Sequence, residues 1–142
     1  MGYSERIYMW TLNINEEKKL LILKISDTLT LNELSEIMKA IYDENGGRFA
    51  VFNRFADLSG LKEIEIDFDT VSSRIHEYRR CVNLDNPVKI SLFIPQKYIC
   101  GFSHLYKSML SDDLFQMEIF DSLDKCAEHL SVDKKLLANA MK

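Results

Sequence analysis

Phe49–Val71, FAVFNRFADLSGLKEIEIDFDTV, is the stretch on which the reading of the chain turns. Phe49–Ala56 is apolar apart from Asn53 and Arg54, the composition of a strand covered on both faces, so a central strand is expected there. Asp57-Leu58-Ser59-Gly60-Leu61 follows and is rich in turn residues. Asp67 or Asp69 can then cap a helix whose apolar stripe is Phe68, Val71, Ile75, Tyr78 and Val82. Strand, loop and helix in that order set Asp57–Leu61 at a strand's carboxyl end, where open α/β sheets hold their ligands. Asp57, Ser59, Gly60, Asp67, Phe68 and Asp69 are therefore the expected partner- or ligand-binding residues.

Towards the N-terminus, Gly46-Gly47 ends a helix that carries Leu31, Leu34, Ile37, Met38 and Ile41 on one face and runs to about Asn45. Thr30-Leu31-Asn32-Glu33 reads as its capping box, with the Thr30 hydroxyl accepting from the Glu33 amide and Glu33 reaching back. Arg6–Ile14 and Leu20–Ile25 alternate around Asn15-Glu16-Glu17 and make a hairpin. Towards the C-terminus, Pro87 ends the second helix and Val88–Ile94 is a strand closed by Pro95. Tyr98, Phe102, Leu105, Tyr106 and Met109 mark a third helix. Gln116–Phe120 is the last strand, Asp121-Ser122 caps a helix with Leu123, Cys126, Ala127 and Leu130, and Val132–Lys142 adds a short terminal helix.

The order β-β-α-β-α-β-α-β-α implies right-handed crossovers. It predicts an α/β fold with a mixed, mostly parallel sheet of four to five strands, one of them antiparallel, and about four to five helices. The 142 residues make one domain, with a core over 5–131 and a terminal helix or tail over 132–142. A hydrophobic share of 46% is enough for a core of ordinary size and leaves little volume beyond it. A net charge of -4 argues against nucleic acid and anionic membrane as partners, since both require clustered Lys and Arg. No window approaches the roughly 20 apolar residues of a membrane span, and the start lacks an apolar signal core, so a cytoplasmic location without stable membrane insertion is expected. Cys81, Cys100 and Cys126 sit in apolar periodic segments and read as reduced, buried small hydrophobes.

Catalytic and metal signatures are weak. Cys100 and His104 are four residues apart on an expected helix and share a face, but a third member is missing. Glu63, Glu65, Asp67 and Asp69 could face a hard cation, yet the spacing fits no EF-hand loop and a solvated, helix-capping segment explains it. Arg74, Arg79 and Arg80 lie on the second helix, the last two near its C-terminus, where cations complement the helix dipole, a reading preferred to the alternative of an anion-binding cluster. No catalytic residue, metal ligand or cofactor is assigned.

Two local sequences resemble the SpoIIAA-like family, small bacterial domains related to the STAS anti-sigma-factor antagonists and sharing a fold with Sec14-type lipid-binding domains. Phe55-Ala56-Asp57-Leu58-Ser59-Gly60-Leu61 resembles the strand-end run common in STAS domains, and Glu118–Leu130 is similar to the family's closing strand, capped turn and small-residue helix. The resemblance covers nearly the whole chain. It also places the regulatory serine of phosphorylated STAS domains near Ile66–Thr70, where this chain has no Ser-Gly and where Asp67 and Asp69 would repel a phosphate. Kinase-switched antagonism is therefore not expected. The resemblance implies a non-enzymatic regulatory or protein-interaction module that docks a partner near Asp57–Leu61. Its alternative is a small apolar-ligand or lipid carrier with a cavity among the Phe102 helix, the Phe68 helix and the sheet. The hairpin's exposed edge leaves homodimerisation open.

Overall fold

The computed structural model describes residues 9–97, 104, 107–108 and 110–142. Arg6–Tyr8 of the first expected strand lie outside the described residues, as do Cys100 and the helix markers Tyr98, Phe102, Leu105, Tyr106 and Met109. Strands β1 (Trp10–Asn15) and β2 (Leu20–Leu29) pair antiparallel, from Trp10 opposite Ile25 to Asn15 opposite Leu20. The Lys18 amide donates to Asn15 Oδ1 at 2.9 Å, and Lys19 turns through φ 50° to close the hairpin. β3 (Asn53–Ile64), β4 (Val88–Phe93) and β5 (Phe115–Phe120) follow in parallel, giving a mixed five-stranded sheet in the order β1-β2-β3-β4-β5.

The following α-helices each start at a polar cap. Thr30 accepts from the Glu33 amide at 3.3 Å to open α1 (Leu31–Tyr42), and its hydroxyl donates to Glu33 Oε1 at 3.1 Å. Asp67 opens α2 (Phe68–Arg79), Ser122 opens α3 (Leu123–Leu130) and Asp133 opens α4 (Lys134–Ala140). Because strand order follows chain order, the β2–β3 and β3–β4 crossovers step the same way across the sheet, and right-handed connections then send α1 and α2 to one face. Accordingly Leu21, Ile25, Ala56 and Ile90 pack under α1 and α2, with Ile37, Ile41, Leu34 and Val71. The alternate strand residues Leu20, Ile22 and Phe55 meet Cys126, Ala127, Leu130 and Leu137 of α3 and α4 on the opposite face.

The deciding stretch departs from its sequence reading in two places. Phe49–Val51 is not strand: it closes a 3-10 helix, Glu44–Val51, and β3 begins at Asn53. Gly46 and Gly47 take φ 68° and 72°, α1 stops at Tyr42, and the chain coils so that Phe49 and Phe52 bury edge to face at 5.5 Å. A short apolar run bounded by glycines has the same periodicity in either conformation. The second departure is Asp57–Leu61, which is the middle of β3 rather than a loop. Leu58 and Ser59 together oppose Ile25, and Lys62 is an extra residue between the pairs Asp27–Leu61 and Thr28–Glu63. These are two β-bulges, a feature that uses the same residues as a turn.

Candidate functional site

The bulged segment is built around Asp57, which is 2% exposed and whose Oδ1 accepts from the Ser59 amide (3.0 Å) and hydroxyl (2.6 Å). Ser59 and Gly60 are exposed, and a Cβ on Gly60 would come within 3.2 Å of Ser26 Cβ on β2. β4 ends opposite Asp57, and beyond it the Gln96 amide donates to the carbonyls of Leu58 (2.6 Å) and Leu61 (3.0 Å), covering the edge of β3 that no strand pairs. Asp67 accepts from the Thr70 hydroxyl (2.6 Å) and amide (2.9 Å), which hold its carboxyl below the usual range. Phe68 is half-buried against the core under α2, and Asp69 is exposed. The six expected residues therefore fall into two separate places, the β3 bulge centred on Asp57 and the helix cap centred on Asp67, each satisfying its own carboxylate.

The cysteines divide. Cys126 is fully buried, and burial, with the charge of Asp57 added, pushes its thiol up to about 12, far from a nucleophile's range. Cys81 is exposed, contrary to its sequence reading, because α2 ends at Arg79 and leaves the following turn outside the core. His104 is exposed and helical, with its expected partner Cys100 outside the described residues. Among the described residues no cluster of three or more His, Cys, Asp or Glu could hold a metal ion, and the acidic Glu63–Asp69 run makes none. No helix among them is long and apolar enough to cross a membrane.

An apolar concavity lies on the α1/α2 face of the sheet. A cavity of about 170 Å³ is walled by Leu23, Ile25 and Leu29 of β2, Leu34, Met38 and Ile41 of α1, and Ala56, Leu58, Leu61 and Ile64 of β3. Val71 and Ile75 of α2, Ile90 and Leu92 of β4, Leu110 and Met117 complete the wall. Its size overturns the sequence expectation of little spare volume. Leaving such a space unfilled forgoes about 4 kcal/mol of packing at the usual cost per volume.

Two arginines close this apolar space. Arg54 of β3 and Arg79 at the end of α2 are 7% and 9% exposed. Arg54 Nη2 donates to the Ala50 carbonyl at 2.9 Å, Arg79 Nη1 donates to the Leu110 carbonyl, and the Tyr42 ring lies 5.3 Å from the Arg54 guanidinium. The Phe115 ring lies 5.8 Å from the Arg54 guanidinium and 4.1 Å from that of Arg79. Among the described residues neither arginine has a salt bridge, and the Nε of each is buried without a hydrogen-bond acceptor. Burial lowers both pKa values below the ordinary arginine range; Tyr42 opposes the shift at both, and the neighbouring Arg79 charge adds to it at Arg54.

Sequence reasoning passed over this pair. Arg79 is not a solvated charge at a helix end: it points into the core, and its companion is Arg54 on another element, while Arg74 and Arg80 are exposed. The available signal was Arg54 itself, a charge inside a strand run apolar enough to be covered on both faces. Tyr42 also borders a polar surface groove of about 550 Å³ together with Asp43, Gly47, Arg74, Glu77, Tyr78 and Cys81, and stacks on Tyr78 at 5.5 Å.

No protein-family model matches the sequence, and no curated protein does. Among solved structures, the crystal structure of an uncharacterised protein of the DUF3478 family with a SpoIIAA-like fold, from Shewanella loihica PV-4, superposes with a TM-score of 0.58. The match has 8% identity and covers 91% of this chain and 99% of that one. The chain thus has a SpoIIAA-like fold.

Proposed function

We propose that this protein is a non-enzymatic binding module that holds a small apolar ligand in the cavity between α1, α2 and the sheet. The observation that carries the reading is the 170 Å³ space itself, walled by aliphatic side chains. An engineered apolar cavity of about 150 Å³ stays dry and takes up benzene, so a space of this kind is a competent receptor for one ring or a short chain. A packing defect of this size would ordinarily be filled by a larger side chain at Ala56 or Val71, both of which line it. The test is benzene titration followed by thermal unfolding, together with native against denatured mass of gently purified protein. Saturable stabilisation, reaching about 2.7 kcal/mol at a hundredfold excess over the dissociation constant, supports the reading. An unfolding midpoint that stays put up to the solubility limit of benzene overturns it.

A second reading, docking of a protein partner, is favoured by the exposed Ser59-Gly60 bulge on a stretch of β3 that β4 does not cover, followed by the exposed acids of the α2 start. Capture of one reproducible partner that Ser59→Arg abolishes and Lys18→Glu leaves intact supports it. Equal capture by both variants removes it.

A further inference from the structure

Resting on the apolar-ligand reading, we propose that the ligand is a small apolar monocarboxylate whose carboxylate is received by Arg54 and Arg79 while its hydrocarbon part fills the cavity. Two guanidinium groups more than nine-tenths buried face one apolar space. Among the described residues the acceptors of their hydrogen bonds are neutral, the Ala50 and Leu110 carbonyls, and the Tyr42 ring lies beside Arg54. The acid that partly offsets Arg79, Asp112, is itself exposed and already accepts from the Leu114 and Phe115 amides at 2.9 and 2.8 Å. A buried charge without a counter-charge is costly, and two of like sign cost more, so the arrangement is completed by an anion.

The unused donors indicate which anion. Each arginine leaves its buried Nε–H free among the described residues, two donors from two side chains, which is the complement of the two oxygens of one carboxylate. A phosphate dianion would bring three or more strongly hydrated oxygens to a site whose other walls are Leu, Ile, Val and Met and can offer them nothing. The volume limits the remainder of the ligand to one aromatic ring or roughly a six- to eight-carbon chain, by comparison with the benzene-sized cavity above.

The experiment compares matched probes on the whole chain at neutral pH by isothermal titration calorimetry: octanoate against 1-octanol, benzoate against toluene, and inorganic phosphate alone. The expected result is a preference of about 10-fold or more for each acid over its neutral analogue, the scale of one hydrogen bond to a charged group. Arg54→Met and Arg79→Met should erase that preference and leave octanol binding in place. Octanol binding as tightly as octanoate to the unaltered protein overturns this inference and leaves the apolar-ligand reading standing, whatever the variants do. Phosphate binding as tightly as octanoate also overturns it, by showing an anion site indifferent to the tail. If none of the hydrocarbon probes binds, the apolar-ligand reading itself falls and takes this inference with it.

Discussion

The two faces of the sheet are built from the same alternating strands and solve different problems. Under α3 and α4, Phe55, Cys126 and Leu137 reach 0% exposure and Leu20 1%, and the buried Ser91 hydroxyl donates to the Cys126 carbonyl at 3.1 Å. Under α1 and α2 the walls are equally apolar but do not meet: a 170 Å³ space survives, and two arginines are tucked into its side. Close packing stabilises a fold and leaves nothing to bind with, whereas a void and an unpaired charge both destabilise it. A domain this small that carries both on one face has surrendered stability there, and the closed face is what compensates.

Equal truncations on the two faces put that contrast under the greatest strain. Leu20→Ala opens a hole in the closed face and should cost about 4–5 kcal/mol, the upper end for a buried leucine. Leu34→Ala removes a side chain that already borders the cavity and has fewer contacts to lose, so about 3 kcal/mol is expected. Urea unfolding of the three proteins measures both, and equal losses would contradict the division into a packed and a loose face.

Alkali tests the closed face alone. The Cys126 thiol has an ordinary value of 9.0 when unfolded and about 12 when folded, chiefly through burial. Below pH 9 both states keep the proton and pH has no effect through this group. Between 9 and 12 the unfolded state binds fewer protons than the folded one, so stability falls as pH rises, by about 1.4 kcal/mol per unit. From pH 9 to 10.5 the fall due to Cys126 is about 2 kcal/mol. Cys126→Ala should flatten it and Cys81→Ser should not, as read from urea midpoints across that range.

On the loose face the opposite sign is expected. Ala56→Val adds two methyl groups to the cavity wall on a central strand, where a β-branched residue is favoured, and should stabilise the protein by about 1 kcal/mol. The same change should weaken benzene or octanoate binding at least several-fold. Stabilisation without lost binding would place the ligand elsewhere.

How much of this was legible in the chain depends on how local each cause is. Thr30, Asp67 and Ser122 satisfy amides within three residues of themselves, so each helix start could be read from a few letters. Pro87 and Pro95 bracketed β4, and the apolar runs of Leu20–Ile25 and Phe49–Ala56 marked strands, whose alternate residues Leu20, Ile22 and Phe55 lie on the face opposite Leu21 and Ala56. Asp57-Leu58-Ser59-Gly60 was misread because a bulge and a loop draw on the same small polar residues, and only pairing with Ile25 and Ser26 tells them apart. Phe49–Val51 failed for the companion reason that apolar content does not discriminate a short helix from a strand end. The site was the least legible part. Arg54 and Arg79 come from different elements, and the cavity is a shortfall summed over walls contributed by α1, α2, β2, β3 and β4, which no local pattern encodes.

The arginines give the finest test of the contrast, because their removal balances opposing effects. Arg54→Met keeps an apolar stem of similar length, removes one buried charge and ends its repulsion with Arg79. Against that, the Ala50 carbonyl loses its 2.9 Å donor, and the contacts of the guanidinium with the Tyr42 and Phe115 rings disappear. The carbonyl and ring contributions are each of order 1 kcal/mol, while relief of an uncompensated buried charge is worth more, so a net gain of up to about 1 kcal/mol is expected. Thermal unfolding of the ligand-free protein reads that balance directly. A loss above about 2 kcal/mol would instead make Arg54 a structural brace that holds the 3-10 helix to the sheet, and the cost borne by the loose face would then be the void alone.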